Sequence, residues 1–430
     1  MSPTGFICIA NAAISVAFIL CYAYQLFYTV VSPLWGKDKR RTGASSLALL
    51  RQPGTASYAV LIAARNEAAV IGDLLDNLHN QCWQGALTVF VCADNCTDDT
   101  SAVATRHGAK VYCRSDNQRV GKGYALDFLL QRIQTDYGRV FDGYFVFDAD
   151  NLVAPDYITE ADKMLCAGYA AVTGYRNTKN YGDNWISAGY ALWFLRESEF
   201  LNRSRWLLGS SAAVSGTGFA FTNALLQRLG GWHYYLLTED LQFTADTVLT
   251  GEKIGYCPTA AVYDEQPISF SQSWRQRLRW VRGSLQVCRQ YGGRLLWKAI
   301  QPGKRSFSAR WGCFDMLMAT MPAFLLSLTG VVCNFCAAGA ALITGQGVEG
   351  TVISLAQLLG NSYLFMLALG VYTVLSQWQR IRASVTQKLW YTLTFPLFMM
   401  TYIPIAAAAL FCRVQWKPIA HTRTASGISV

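Results

Sequence analysis

The sequence predicts an α/β domain, built on a mainly parallel sheet with helices on both faces, set between apolar helical segments that span a membrane. Three observations predict it. Of the 430 residues, 52% are hydrophobic, and charged residues are missing from long stretches at both ends of the chain. Between about Thr55 and Glu265, short apolar runs alternate with amphipathic stretches, as strands alternate with crossover helices. From Gln266 to Phe314 there are ten Lys or Arg and no Asp or Glu, a charge bias suited to a membrane surface.

The elements follow in chain order. No charge occurs between Met1 and Lys37. A span is expected near residues 6–31, within an anchor region 1–35. It lacks a basic leading segment, and its apolar run is too long for a signal peptide, so it reads as an uncleaved anchor. Lys37, Lys39, Arg40 and Arg41 follow, and by the positive-inside rule they stay in the cytosol, with the N-terminus outside. The α/β domain occupies 55–265. Residues 58–62 form a first strand ending at Ala64-Arg65-Asn66-Glu67, and Val70, Leu74, Leu75 and Leu78 then share a helix face. Residues 87–91 form a second strand ending at Asp94, 98–107 a helix, and 109–112 a third strand. Gly121-Lys122-Gly123 opens a helix through Leu130, and residues 144–147 form a fourth strand ending at Asp148. In such sheets ligands sit outside the carboxyl ends of the strands, so Glu67, Asp94 and Asp148 should line one crevice.

Residues 266–310 read as basic interfacial helices. Trp274, Leu278, Val281 and Leu285 form an apolar stripe and Arg275, Arg279 and Arg282 a basic one, while Gln276, Arg279 and Trp280 share a face. Region 311–412 supplies further spans near 316–343, 351–376 and 389–412, each long enough for the roughly 20 residues a bilayer core needs. Four spans place the tail, 413–430, outside, but its Arg413, Lys417 and Arg423 argue for the inside. Pro396 and Pro404 leave a kinked or re-entrant final segment open.

Thirteen cysteines fit free, buried thiols better than a disulfide framework, because many lie in apolar spans or in the domain expected in the reducing cytosol. The net charge of +10 is accounted for by residues 266–314 alone, so no nucleic-acid partner is expected. His79, His107 and His233 read as surface or helix residues and His421 as part of the tail, which makes no metal set.

Several residue types carry chemistry. Asp148 and Asp150, two apart in an extended segment, point the same way. Their repulsion is relieved by a hard cation, and Mg²⁺ or Mn²⁺ with a diphosphate fits. Lys122, between glycines at a helix start, suits a phosphate. Asp94 suits hydrogen bonds from a nucleobase. Ser215-Gly216-Thr217-Gly218 permits close backbone approach to a ligand. A sugar hydroxyl attacking an anomeric carbon needs a base, and Asp240 and Glu239 are both candidates. Arg279 suits a diphosphate leaving group, and Trp280 offers an apolar face to a sugar ring.

In this order Asp94, Asp148-Ala149-Asp150, Thr238-Glu239-Asp240 and Gln276…Arg279-Trp280 resemble the D, D-x-D, T/E-E-D and Q-x-x-R-W motifs of the membrane-bound family 2 glycosyltransferases. These include cellulose, chitin, hyaluronan and poly-N-acetylglucosamine synthases, nodulation chitin-oligosaccharide synthases and ceramide glucosyltransferases. The resemblance runs from about Tyr58 to Gly283. It implies a GT-A (Rossmann-like) fold, a UDP-sugar donor (UDP-Glc or UDP-GlcNAc), a divalent Mg or Mn ion held by Asp148 and Asp150, and inversion at the anomeric carbon. It makes Asp240 the general base beside Glu239. It makes Arg65, Glu67 and Asp94 uridine contacts and has Gln276, Arg279 and Trp280 close over the diphosphate and acceptor; with the residues read above, the expected donor set is Arg65, Glu67, Asp94, Lys122, Asp148, Gln276 and Arg279, and the expected acceptor set Trp280, Gly216 and Thr217. Two departures are visible. Ala93-Asp94-Asn95 stands where many relatives have Asp-Asp-Gly, and the 215–219 segment differs from those of hyaluronan and cellulose synthases, so no particular sugar is implied.

The expected activity is extension of a β-linked polysaccharide or oligosaccharide, with passage through the spans as its extension. The alternative is the same chemistry on a ceramide- or diacylglycerol-like lipid. A transporter or scaffold with a degenerate domain is disfavoured because every catalytic position is filled. Membrane lipids are expected partners, with the domain on the cytosolic face of a bacterial plasma membrane.

Overall fold

The structure is a computed structural model that describes residues 3–34, 42–138, 141–303, 306–320, 322–345, 348–412, 414, 421 and 423. The basic cluster Lys37–Arg41 and the tail residues Arg413 and Lys417 lie outside the described residues. Eight strands form one sheet: β1 (Tyr58–Ala64), β2 (Leu87–Asp94), β3 (Lys110–Arg114), β4 (Gly143–Asp148), β5 (Leu152–Val153), β6 (Ala171–Thr178), β7 (Phe219–Thr222) and β8 (Ile254–Asp264). Their spatial order is β3-β2-β1-β4-β7-β6-β8-β5. The helices are α1 (Pro3–Leu34), α2 (Ile71–His79), α3 (Thr100–Arg106), α4 (Lys122–Tyr137), α5 (Tyr157–Cys166), α6 (Trp185–Arg196), α7 (Arg203–Leu207), α8 (Asn223–Arg228), α9 (Glu239–Thr250), α10 (Phe270–Ile300), α11 (Phe307–Thr320), α12 (Pro322–Thr344), α13 (Val348–Ser376), α14 (Val385–Met400) and α15 (Tyr402–Phe411). A π-helical turn, Glu197–Asn202, joins α6 to α7.

The four strands expected from the apolar runs are β1 to β4, with β1 pairing in parallel with both β2 and β4. The sheet is mixed but mainly parallel, as expected, with only β5 and β7 reversed among its eight strands. The antiparallel β7 pairs with β4 on one side and β6 on the other, and β8 then runs parallel to β6. Because β7 reverses direction twice in the spatial order, β6 and β8 point the same way as β1, β2 and β4. Their carboxyl ends therefore gather at one edge of the sheet. Ala63 is paired with Asp148, and Thr178 with Asp264, which fixes that alignment.

Apolar residues line both faces of the sheet, and each face carries its own core. Leu74, Leu75 and Leu78 of α2 pack with Val60, Ile62 and Phe145 on one face. Leu126, Leu129 and Ile133 of α4 pack with Leu61, Phe90 and Val146 on the other. The alternation of strand side chains between faces makes both cores possible from one strand.

Four segments are long and apolar enough to cross a membrane: Gly5–Leu34, Leu325–Thr344, Val348–Ser376 and Val385–Phe411. The last is broken at Thr401 into α14 and α15. Proline at 404 removes a backbone donor there, and a proline in a helix interior costs about 3 kcal/mol. A buried polar cluster ties α1 to the domain. Arg205 of α7 makes two bonds to Asp315 of α11, at 2.8 Å each, and the Asp315 carboxylate also accepts from Tyr24 and Tyr28 of α1 at 2.8 and 3.0 Å.

Candidate active site

The strand ends open into one pocket. It is lined by Arg65, Glu67, Asp94, Lys122, Asp148, Asp150, Gly216, Glu239, Asp240, Gln276, Arg279 and Trp280, all singled out by the sequence. Sequence reading assigned Thr217 to the acceptor, but the residue is buried under the loop. Its hydroxyl accepts from the Asp148 N–H at 3.0 Å and bonds to Asn151. Asn151 accepts from the same N–H, also at 3.0 Å, so Asn151 and Thr217 together lock the Asp148–Asp150 turn.

The loops after β1 and β2 are held by two asparagines with left-handed backbones, Asn66 at φ 57° and Asn95 at φ 53°. Asn tolerates that region better than most side chains. This accounts for Asn95 in place of the relatives' glycine, because Asn95 adopts a conformation that glycine also supplies. Its side chain accepts from the Asp116 N–H at 2.9 Å. Asp94 is buried and receives Arg114 at 2.6 Å.

Lys122 sits at the centre of the site. Its ammonium donates to Asp148 Oδ1 at 2.5 Å and to the Gly216 carbonyl at 2.8 Å. Burial works against its charge, yet Asp148, Glu239 and Asp240 hold its pKa above the usual lysine range. Next to it Gly123 has no room for a side chain, since a Cβ there would lie 1.9 Å from the Tyr234 carbonyl oxygen. Gly216, at φ 77°, turns its N–H onto Asp240 Oδ2 at 2.5 Å. One loop thus joins the Asp148 carboxylate to Asp240.

Glu239 and Asp240 open α9 and face its positive end. Glu239 is buried, and burial together with the Asp240 charge pushes its pKa up to about 7, against the pull of Lys122 and Arg279. Helix α10 closes the opposite wall. Gly283 packs against Thr238, where a Cβ would lie 2.5 Å from the threonine methyl. Arg279 donates to the Leu237 carbonyl at 2.9 Å. Trp280 stands edge-on to Tyr190 at 5.5 Å and to Phe194 at 5.9 Å. The expected basic stripe divides. Arg275 is exposed, Arg279 faces the pocket, and Arg282 reaches the Ala409 carbonyl at 3.1 Å.

Several lining residues were not picked out in the sequence, Arg176, Asp264 and His421 among them. Arg176 and Asp264 lie at the carboxyl ends of β6 and β8, two strands absent from the sequence reading. They pair with each other, and Arg176 also donates to the Ser215 carbonyl at 2.7 Å. The short, mostly apolar runs at 170–175 and 254–257 were the available signal. The third is His421, which the sequence placed in the tail. Its Nδ1 lies 3.0 Å from Glu67 Oε1. Burial lowers its pKa, but Asp150, Glu67 and Glu265 outweigh that and raise it to about 10. Burial in turn raises Glu67 to about 7 against the pull of His421.

A mixed sheet with an acidic crevice at the carboxyl ends of its parallel strands is the arrangement of the GT-A class of fold. The same fold recurs in "Mannosyltransferase PcManGT from Pyrobaculum calidifontis in complex with GDP-Man and Mn2+", with a TM-score of 0.59 and 18% identity over 95% of this chain and 99% of that one. The pattern of glycosyltransferase like family 2 matches residues 53–283, more than half of the chain, and the protein belongs to that family. Among relatives, it is 26% identical to the probable glycosyltransferase YdaM of Bacillus subtilis, over 53% of this chain and 55% of that protein. It is 27% identical to a β-monoglucosyldiacylglycerol synthase of Nostoc sp., over 63% of this chain and 56% of that protein. It is 25% identical to the poly-β-1,6-N-acetyl-D-glucosamine synthase of Staphylococcus aureus, over 53% and 54% respectively. The matches thus span little more than half the length of these relatives.

Proposed function

We propose that the protein transfers a sugar, with inversion, from a UDP-sugar to an acceptor hydroxyl delivered from the membrane. The carrying observation is the coupling of Asp148 to Asp240 through Lys122 and Gly216, which sets a diphosphate-binding carboxylate beside a candidate base in one pocket.

The donor set fits a hard divalent ion. Asp148 and Asp150 supply carboxylate oxygens, and Asp264 Oδ1 beside them is buried with no partner among the described residues. Mg²⁺ and Mn²⁺ take such oxygens together with phosphates. When bound, the ion would offset the charge of the departing diphosphate. Lys122 and Arg279 add positive charge on the pocket walls, placed for a leaving group that becomes more anionic as its bond breaks. Asp240 faces the open pocket and takes the proton of the attacking hydroxyl. Glu239 lies behind it, buried against Lys122. Arg65, Glu67 and Asp94 line the far end, where the nucleoside belongs. Trp280, with Tyr190 and Phe194 at its back, offers a flat apolar face for the acceptor.

Two acceptors were left open by the sequence, a growing β-linked chain and a lipid. The packing of the last apolar segment favours the lipid, because the aromatic wall of Tyr190, Phe194 and Trp280 packs in one cluster with its Phe398, Tyr402 and Ile405. The similarity to a β-monoglucosyldiacylglycerol synthase agrees with this acceptor class. The domain then faces the cytosol, where UDP-sugars are made, at a bacterial plasma membrane. Incubation with radiolabelled UDP-Glc or UDP-GlcNAc and bacterial lipids should place the label in the organic phase after extraction. Label confined to a high-molecular-mass, solvent-insoluble product would return the assignment to chain extension.

A further inference from the structure

The peptide group between Ser215 and Gly216 is held at both of its ends. Its N–H, from Gly216, donates to Asp240 Oδ2 at 2.5 Å. Its carbonyl, from Ser215, accepts from Arg176 Nη1 at 2.7 Å. A Cβ on Gly216 would stand 3.7 Å from Arg176 Nη1 and 4.0 Å from Asp240 Oδ2, so the two side chains converge on this peptide. Gly216 lies at φ 77°, and glycine has the widest backbone freedom of any residue, so the direction of the N–H depends on what grips the carbonyl.

Arg176 is itself held from three sides. Its Nε donates to Asp264 Oδ2 at 2.8 Å, and Nη2 pairs with the same oxygen. Nη1 also reaches Ser215 Oγ at 3.2 Å, and that hydroxyl donates on to Glu197 Oε2 at 3.2 Å. The guanidinium carbon lies over Phe194, 3.6 Å from the ring centroid. A rigid planar fork set on an aromatic ring and a carboxylate delivers its remaining edge in one direction, here onto the Ser215 carbonyl. The hydrogen bonds therefore run in series, from Asp264 through the guanidinium and the peptide to Asp240. Bonds in such a chain polarise one another where water is excluded, so a cation on the carbonyl makes the N–H at the far end a stronger donor.

We propose that Arg176 is a positioning residue for the base. Acting through the peptide between Ser215 and Gly216, it fixes Asp240 Oδ2 so that Oδ1 meets the attacking hydroxyl. This rests on the sugar-transfer reading above, in which Asp240 takes the proton. Arg176 needs no contact with either substrate for this task. A lysine in its place keeps the charge and can pair with Asp264 or reach the carbonyl, but it has no fork with which to do both.

A double-mutant cycle in the full-length protein, reconstituted with bacterial lipids, tests this. Labelled UDP-Glc or UDP-GlcNAc reports transfer, and UDP with Mn²⁺ is the binding probe. Arg176→Lys should bind UDP as the wild type does and transfer about tenfold more slowly, the scale of one lost charge-assisted hydrogen bond. In an Asp240→Asn background the same change should alter the residual rate less than about twofold, because the base that it serves is gone. Arg176→Met should show the same dependence on Asp240 with a larger loss. An equal loss in both backgrounds, no loss in either, or UDP binding abolished by Arg176→Lys would each make Arg176 part of the domain's frame and overturn the proposal, while transfer by the wild type keeps the functional reading intact. A wild type that neither binds UDP nor transfers sugar overturns both.

Discussion

Asp240→Asn should lower the rate of sugar transfer by about 10²–10⁴-fold, the usual contribution of a general base, while UDP binds as tightly as to the wild type. The two effects separate because the side chain acts on the acceptor. Asp240 Oδ2 accepts the Gly216 N–H at 2.5 Å, and an asparagine oxygen can accept the same bond, so the loop that carries Lys122's second contact stays in place. What asparagine cannot do is take a proton from a hydroxyl. Initial rates with labelled donor, measured beside a UDP titration, check both halves. Turnover at the wild-type rate would move the role to Glu239, whose place behind Lys122 argues for shaping the field of the pocket rather than for meeting the acceptor.

The largest stability effect is expected at Asp315. Its carboxylate is buried and takes two bonds from Arg205, one from Tyr24 and one from Tyr28, so a single residue joins α1, α7 and α11. Removing one partner of a buried ion pair leaves a charge without compensation and costs about 3–5 kcal/mol. Asp315→Asn should therefore lower the melting temperature of detergent-purified protein sharply, with loss of yield. The double variant Arg205→Met, Asp315→Leu removes both charges together and should regain part of the loss, although the two tyrosine hydroxyls remain without a carboxylate. A single variant as stable as the wild type would show that the cluster does not hold the anchor to the domain.

Much of the site was legible because its residues follow local rules. Glu67, Asp94 and Asp148 each end an apolar run, and parallel strands bring such ends together whatever the loops between them do. Gln276, Arg279 and Trp280 are spaced to share one helix face, and they do line one wall of the pocket. The rest depends on contacts between distant parts of the chain. Lys122 reads as a phosphate ligand from its glycine-flanked position, and only the fold shows it clamped between Asp148 and Gly216. Thr217 sits in a flexible-looking glycine motif, but its hydroxyl is spent inside on Asp148 and Asn151. Arg176 and Asp264 were missed because strand reading stopped at the fourth strand, before the antiparallel β7 and its neighbours. His421 carries no local signal at all. Its place depends on a contact with Glu67, far away in the sequence.

On the proposed function, the pocket at the carboxyl edge of the sheet holds a nucleoside diphosphate through a divalent ion on Asp148 and Asp150. Calorimetric titration of UDP into the purified protein, with and without Mn²⁺, addresses it without requiring the acceptor or the sugar to be known. The ion should strengthen UDP binding at least about tenfold in the wild type, and Asp150→Ala should lose this gain while remaining folded. Equal UDP affinity with and without Mn²⁺ or Mg²⁺, or an Asp150→Ala protein that keeps the full metal-dependent gain, would contradict it.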